Sequence, residues 1–280
     1  MRELERIFNM SRMVDHCAHY IVGNHLEEAL GLWTSLVDLT KGDSGQAGRN
    51  LLDIVKLAYA RNSSNSSPVY GFLRRLQGID KIPVYDLLVG GMKSREDFEG
   101  TEIFYIAQYL KERNAVRSSI YSKIPRAIQY AVSGRNVNIV FVGKEHGRNY
   151  VHVRDDQSRE RSNFYVQASQ SYTDTRSAVW NFLFQSSSET FHIRNSLFGD
   201  YMFVNAEGFL ETLPSNAVLT PGAEFTFQLR NNSVIIHSSN GGQPLVVVRG
   251  GGKFPYYFSL QSENPHAPPA QFLVEPDTLL

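Results

Sequence analysis

The chain has 280 residues, 42% of them hydrophobic and 20% charged, so it contains enough apolar material to form ordered cores. Lysine plus arginine and aspartate plus glutamate number 28 each, without a long run of either sign. This balance argues against a phosphate-neutralising surface, and we predict no nucleic-acid partner. The length fits two domains of ordinary size better than one.

The cysteine count and the beginning of the chain limit where the protein works. A single cysteine, Cys17, excludes an intrachain disulfide and a zinc site built from several thiolates. No apolar run reaches the roughly 20 residues of a membrane span, so we expect none. The charged first twenty residues are unlike a signal peptide. We therefore expect either a cytoplasmic protein or a secreted one whose leader has already been removed.

Up to Gly134 the apolar residues recur every three to four positions, which is typical of amphipathic helices. One side of a first helix is expected to contain Leu4, Ile7, Phe8, Val14 and Ile21. A second apolar face runs through residues 26–37 and a third through residues 51–58. These patterns predict an all-helical domain over residues 1–134.

After Gly134 the pattern changes to short β-branched and aromatic runs separated by Gly, Asn, Asp, Ser and Pro. Three hairpins share one plan. Their first strands begin near Val137, Thr190 and Val234, and the partner strands begin at Tyr150, Tyr201 and Leu245. Each unit closes with a similar strand, led by Trp180, Phe225 and Phe272, which lie 45 and 47 residues apart.

This period is about the length of four short strands with their turns. A propeller would need at least four such units, and only three fit in the chain. The sequence therefore predicts a β-trefoil with three repeats over residues 135–280. Together with the helical half, the fold class is α+β in two domains.

Several segments, in order along the chain, resemble the low-molecular-weight lipoproteins of insect haemolymph, the microvitellogenin family. They are Asn24-His-Leu-Glu-Glu-Ala-Leu-Gly-Leu-Trp, Asn50-Leu-Leu-Asp-Ile-Val-Lys-Leu-Ala, Ile124-Pro-Arg-Ala-Ile-Gln-Tyr-Ala, and the stretch from Trp180-Asn-Phe-Leu-Phe to Asp200-Tyr-Met-Phe-Val. The resemblance implies a VHS-like helical domain before the trefoil. It also implies a secreted, non-enzymatic storage or carrier protein of haemolymph or egg that binds lipid. Phe225 and Phe272 stand where family members usually place tryptophan.

The densest polar cluster in the sequence is Asp15-His16-Cys17-Ala18-His19, with His25 nearby. Such a cluster could bind a metal, or a histidine could activate the thiol. However, the i, i+4 spacing of Asp15 and His19 equally fits a solvated helix face. Because we favour this structural interpretation and find no other catalytic set, we predict no enzyme activity, no metal and no cofactor.

The alternative to a carrier is a glycan-binding lectin. Trefoil sugar sites commonly combine an Asp, an Asn or Gln and a stacking aromatic ring. Two places match, namely Asp200 with Tyr201, and Asp155 with Asn149 and Tyr150. The third-repeat equivalent, residues 242–245, lacks the acid and the aromatic, and no Gln-x-Trp signature of ricin-type lectins occurs.

A third hypothesis is a protein-interaction module in which the helical half binds a protein partner. An enclosed apolar cavity would favour the carrier, a shallow Asp/Tyr pocket the lectin, and an apolar groove between helices the module. Acceptor triplets also make Asn62, Asn65 and Asn231 candidate glycosylation sites.

Overall fold

The computed structural model describes residues 2–61, 69–76, 87–88, 91–92, 100–112, 121–143, 148–153, 165–169, 176–251, 254–260 and 266–277. It divides into two compact units, Met1–Lys123 and Ile124–Leu280. The division falls before the last helix, whereas the sequence placed the domain limit after Gly134. That residues 1–134 and residues 135–280 fold as independent domains stays a prediction.

The first unit is helical. Its described α-helices are α1 (Arg2–Val22), α2 (Leu26–Leu39), α3 (Ser44–Arg61), α4 (Val69–Leu76) and α5 (Glu102–Glu112). Helix α1 packs against both α2 and α3, and α4 contacts α2 and α5. Trp33 on α2 is fully buried in this core. A Cβ atom on Gly48 of α3 would lie only 1.9 Å from the carbonyl oxygen of Leu87, so the close approach of these backbones requires glycine.

The apolar side expected for α1 is only partly buried. Val14 and Ile21 lie in the core, but Leu4, Ile7 and Phe8 are 73%, 49% and 61% exposed. The predicted helix is therefore present, but its apolar side is exposed near its beginning. Periodicity identifies an apolar face, but it does not determine whether a neighbouring element covers that face.

Helix α6 (Arg126–Ser133) belongs to the second unit, where it packs against strands β4 and β12. It ends at Gly134, whose φ of +70° lies in the left-handed region that favours glycine. The strands that the structure describes in this unit are β1 (Val137–Val142), β2 (Arg148–Val153), β3 (Val166–Ser169), β4 (Val179–Gln185), β5 (Thr190–Asn195), β6 (Tyr201–Val204), β7 (Leu210–Leu213), β8 (Phe225–Arg230), β9 (Ser233–Ser238), β10 (Val246–Gly251), β11 (Phe254–Ser259) and β12 (Phe272–Pro276).

Six of these strands form a closed antiparallel barrel. Around the ring, β1 pairs with β4, β4 with β5, β5 with β8, β8 with β9, β9 with β12, and β12 with β1. Because the ring closes, each of the six strands has a paired neighbour on both sides.

The other six strands form three hairpins, β2–β3, β6–β7 and β10–β11, which also contact one another. Strand β3 pairs with β11, and single bridges join Tyr165 to Glu211 and Phe209 to Ser259. Each repeat thus contributes two barrel strands and one hairpin of a three-membered cap. This arrangement is a β-trefoil, so the fold predicted for the second half is confirmed.

The strand registers make the three repeats directly comparable. Trp180 pairs with Val137, Phe225 with Phe191, and Phe272 with Val234, each joining the first and last strands of one repeat. All three aromatic residues are buried. Trp180 also donates its indole N–H to the carbonyl of Val151 at 2.8 Å. The predicted closing residues therefore occupy equivalent positions in the barrel core.

Candidate functional site

One position at the turn after the first strand of each repeat is polar. Asn149 lies opposite Phe141 in the strand ladder. The carbonyls of the equivalent residues, Asp200 and Gln243, accept the backbone N–H groups of Asn195 and Ser238 at 2.7 and 2.9 Å. The residues that follow them are Tyr150, Tyr201 and Pro244. The pairs Asn149–Tyr150, Asp200–Tyr201 and Gln243–Pro244 therefore occupy equivalent positions in the three repeats. The first two pairs belong to the predicted glycan-binding candidates.

In the first repeat this position is poorly accessible. Asn149 is only 2% exposed. The guanidinium of Arg148 lies 5.6 Å from the centre of the Tyr150 ring, and its Nε donates to the tyrosine hydroxyl at 3.2 Å. Arg148 also forms an ion pair with Glu275. Asp155, the third candidate here, lies outside the described residues.

The second repeat has an ordered turn built on Asn195, which is fully buried. Its Oδ1 accepts the backbone N–H groups of Leu197 and Phe198, both at 3.1 Å. Its Nδ2 donates to the carbonyls of Ser177 and Val179 at 2.8 and 3.3 Å. Four hydrogen bonds from one side chain therefore fix the path of the turn that leads to Asp200.

The same turn brings a carboxylate and a guanidinium together. Gly199, with φ of +77°, accepts the Nε–H of Arg194 through its carbonyl at 2.9 Å. Burial raises the pKa of the Asp200 carboxyl, while a hydrogen bond from the backbone of Ser215 and the charge of Arg194 act in the opposite direction. As a whole residue, Asp200 is half-buried.

Two aromatic rings accompany Asp200. Tyr201 is half-buried; His192 meets its ring edge-on at 5.8 Å, and the Arg194 guanidinium lies 5.9 Å from its centre. Phe198, in contrast, is 40% exposed. The sequence interpretation selected Tyr201 and missed Phe198, Arg194 and Ser215. Nothing in the sequence pointed specifically to Phe198, because single exposed apolar residues are common on protein surfaces.

The Asp15 to His19 cluster has structural surroundings. Cys17 is fully buried and its thiol lies 3.4 Å from the carbonyl oxygen of Ala29. Burial raises its pKa to about 12, so the thiol is not activated. Asp15 pairs with Arg61. Within the described ranges, no three His, Cys, Asp or Glu residues form a group that could hold a metal ion.

Of the three candidate glycosylation sites, only Asn231 lies in the described part of the chain. Asn62 and Asn65 lie outside the described residues. Asn231 is exposed in the tight turn between β8 and β9, where it and Asn232 have φ of +50° and +64°. Its modification stays a prediction. Among the helices that the structure describes, none is both long enough and apolar enough to cross a membrane.

The helical unit has a half-open groove of about 610 Å³ between α1 and α3. Ile7 and Val14 of α1 and Leu57 of α3 contribute its apolar lining. Asn50 also lines it; this residue is 4% exposed, and its Nδ2 has no hydrogen-bond partner. The rest of the lining includes the polar or charged residues Ser11, Asp15, Gln46, Asp53 and Lys56, so the groove is only partly apolar.

The fold and these sites define a protein with a helical unit and a β-trefoil. No family model matches the chain, and no curated protein matches it. Among solved structures, it is similar to a Polyporus squamosus lectin bound to a human-type influenza-binding epitope (TM-score 0.38, 14% identity), covering 50% of this chain and 48% of the lectin. The chain therefore spans about half the length of that lectin.

Other similar structures are the designed three-fold symmetric protein ThreeFoil and the Haemophilus ducreyi cytolethal distending toxin. ThreeFoil matches with a TM-score of 0.40 and 10% identity over 50% of this chain and 97% of its own. The toxin matches with a TM-score of 0.39 and 15% identity over 51% and 85%. The trefoil assignment rests on the strand pairings, and these matches add no argument about function.

Proposed function

We propose that the protein is a non-enzymatic glycan-binding protein and that the turn between β5 and β6 is its sugar site. The observation that supports this proposal is the half-buried residue Asp200, held at the end of a hydrogen-bonded turn that also contains the exposed Phe198 two positions earlier. Carboxylates accept hydrogen bonds from sugar hydroxyls, and aromatic rings provide apolar surface for the C–H groups of a pyranose.

The neighbouring groups suit this ligand class. The backbone of Ser215 supplies one hydrogen bond to the Asp200 carboxyl, but a carboxylate has about four acceptor positions. Arg194 is exposed, and of its N–H groups only Nε makes a hydrogen bond to the described residues, at the carbonyl of Gly199. A sugar could therefore donate hydroxyls to Asp200 and accept hydrogen bonds from Arg194.

A glycan array followed by calorimetry on the best glycan tests this function. Asp200→Asn removes the charge but keeps the shape, and Phe198→Ala removes the ring. We expect each change to weaken binding by about tenfold or more. Glu207→Gln, at an exposed acid in the β6–β7 turn, and Val218→Ala, at an exposed apolar residue, are matched controls that should bind normally. Equal binding by all variants would contradict the proposal.

A second candidate function is the binding of a peptide segment in the groove between α1 and α3. Ile7, Val14 and Leu57 would contact apolar side chains of an amphipathic segment, and the unpartnered Nδ2 of Asn50 would donate to one of its carbonyls. Ile7→Asp should abolish such binding, whereas Leu4→Asp, at an exposed residue that does not line the groove, should not. Retained binding by the Ile7 variant would contradict this function.

Membership of the insect haemolymph lipoprotein family, with a VHS-like helical domain, secretion and a storage or lipid-carrier role, is a separate proposal. The support for it is the set of segments between Asn24 and Asp200 that resemble the family in the same order along the chain. No described cavity supports it. Native mass spectrometry of protein from its natural source, followed by organic extraction, tests it. A co-purifying lipid would support a carrier, and a ligand-free chain would weaken that role.

A further inference from the structure

The trefoil contains a second pocket, which lies between the second and third repeats and which we call the junction pocket. It is half-open, with a volume of about 450 Å³. The lining comes from residues 204–206 and 208 around the β6–β7 turn, residues 220–222 before β8, and Ser238, Asn240 and Gln243 at and after the end of β9, with Leu260 completing the wall. A pocket of this size accommodates one or two sugar residues.

Ser238 lies in the wall of the junction pocket and is fully buried. Its Oγ makes no hydrogen bond to any residue that the structure describes. Burial of an unpaired hydroxyl costs free energy, and most buried hydroxyls in proteins are paired. A ligand hydroxyl that reached this oxygen would supply the missing hydrogen bond.

The remaining polar groups lie nearer the solvent. Asn240 and Gln243 line the pocket and are exposed, and neither side chain makes a hydrogen bond within the described part of the chain. Asn205 also lines the pocket, but its amide is already used by the backbone of Phe209 and by Glu211. Two amide side chains therefore remain to bind a ligand above Ser238.

The lining offers no ion-pair partner to a charged ligand, because no Asp, Glu, Lys, Arg or His side chain contributes to it. Val204, Pro221 and Leu260 give it apolar patches. The wall is also close-packed at Gly222, where a Cβ atom would lie 2.6 Å from the carbonyl oxygen of Val204. Amides and a hydroxyl beside small apolar surfaces suit a ligand with many hydroxyls and no net charge.

We propose that the junction pocket binds an uncharged sugar residue, with one ligand hydroxyl hydrogen-bonded to Ser238 and others to Asn240 and Gln243. The ligand class rests on the proposed glycan-binding function, but the site is separate from the Asp200 turn and uses none of its residues. It is also not one of the positions that the sequence predicted, since the third repeat lacks the acid and the aromatic.

Titration of the full-length, ¹⁵N-labelled chain with neutral methyl glycosides, and with sialic acid as an acidic probe, tests the proposal. We expect saturable shifts of the amide signals of Gly222, Asn240 and Gln243 with at least one neutral glycoside, and none with sialic acid. Ser238→Ala should weaken this binding about tenfold, because one hydrogen bond is lost. Its Tm should stay unchanged or rise, since the hydroxyl has no partner among the described residues.

The adjacent Ser239 provides a matched control. It is 1% exposed, and its Oγ donates to Glu224 at 3.3 Å, so Ser239→Ala should lower Tm without changing glycoside affinity. Gln243→Ala, at an exposed position, removes a ligand contact without disturbing the core. If Ser238→Ala lowers Tm as Ser239→Ala does and leaves binding intact, the proposal is overturned.

Asp200→Asn separates this proposal from the proposed function. If it abolishes glycan binding while no neutral glycoside shifts the amides of the junction pocket, the proposal fails and the glycan-binding function stands. If the pocket amides shift in the Asp200→Asn variant as they do in the unmodified chain, the junction pocket is an independent site. Preferential binding of sialic acid in the pocket would overturn the uncharged ligand class.

Discussion

Replacement of Asn195 by alanine tests whether the turn that holds Asp200 depends on one buried side chain. The change removes four hydrogen bonds, at 2.8, 3.1, 3.1 and 3.3 Å. Each bond contributes about 1 kcal/mol net to stability. The N–H groups of Leu197 and Phe198 lie on exposed residues and can bind water instead, whereas the carbonyls of Ser177 and Val179 belong to buried residues.

We therefore expect Asn195→Ala to lower the free energy of unfolding of the trefoil by about 3 kcal/mol. Urea denaturation followed by the indole N–H signal of Trp180 reports on this unit alone, because the other tryptophan, Trp33, lies in the helical unit. Asn181→Ala is the control. Its amide bonds to Asn136 in an exposed network at 2.8 Å, so it should cost less than about 1 kcal/mol.

The Asn195 variant should also lose glycan binding, since the turn would no longer fix Asp200. If Asn195→Ala lowers the free energy of unfolding by less than about 1 kcal/mol, or by no more than Asn181→Ala does, the expected contribution of the four hydrogen bonds is wrong. Full glycan affinity in a destabilised Asn195 variant would show instead that the turn does not need this side chain for function.

Three further predictions concern titratable groups. Because burial raises the pKa of Cys17 to about 12, the folded protein should not react with Ellman's reagent until urea unfolds it; rapid reaction of native protein would contradict this. Burial lowers the pKa of His152 below its ordinary 6.5, so the unfolded chain binds a proton more readily than the folded chain, and stability should fall as the pH drops below 6.5. His152→Gln should reduce this acid-induced loss of Tm. The same dependence of Tm on pH in the variant and the unmodified chain would contradict this prediction. Burial raises the pKa of Asp200, so glycan affinity should weaken as pH falls through that raised value, and calorimetry showing constant affinity from about pH 7 to about pH 4 would exclude a role for its carboxylate.

The trefoil could be predicted because its three-fold repeat is present in the sequence. Trp180, Phe225 and Phe272 are spaced by the length of one repeat, and their pairing partners occupy one position in the barrel. Helix α6 was assigned to the helical half, yet it packs on β4 and β12. An apolar period identifies a helix but not the body against which it packs, and this also explains the exposed residues at the start of α1.

The site was only partly predictable. Asp200 and Tyr201 followed from residue type, but the exposure of Phe198 depends on the turn that Asn195 builds. Ser238 could not be identified at all, because whether a serine hydroxyl is buried and unpaired depends on contacts between two repeats. Residue type predicts which chemistry is present, whereas accessibility depends on tertiary packing.

The most direct test of glycan binding is an NMR titration of the full-length chain with the best glycan from an array. The proposed site predicts saturable shifts at the backbone amides of Phe198, Asp200 and Ser215, and their loss in the Asp200→Asn variant. The absence of shifts in the trefoil with every glycan, or shifts confined to the helical unit, would contradict the proposed function.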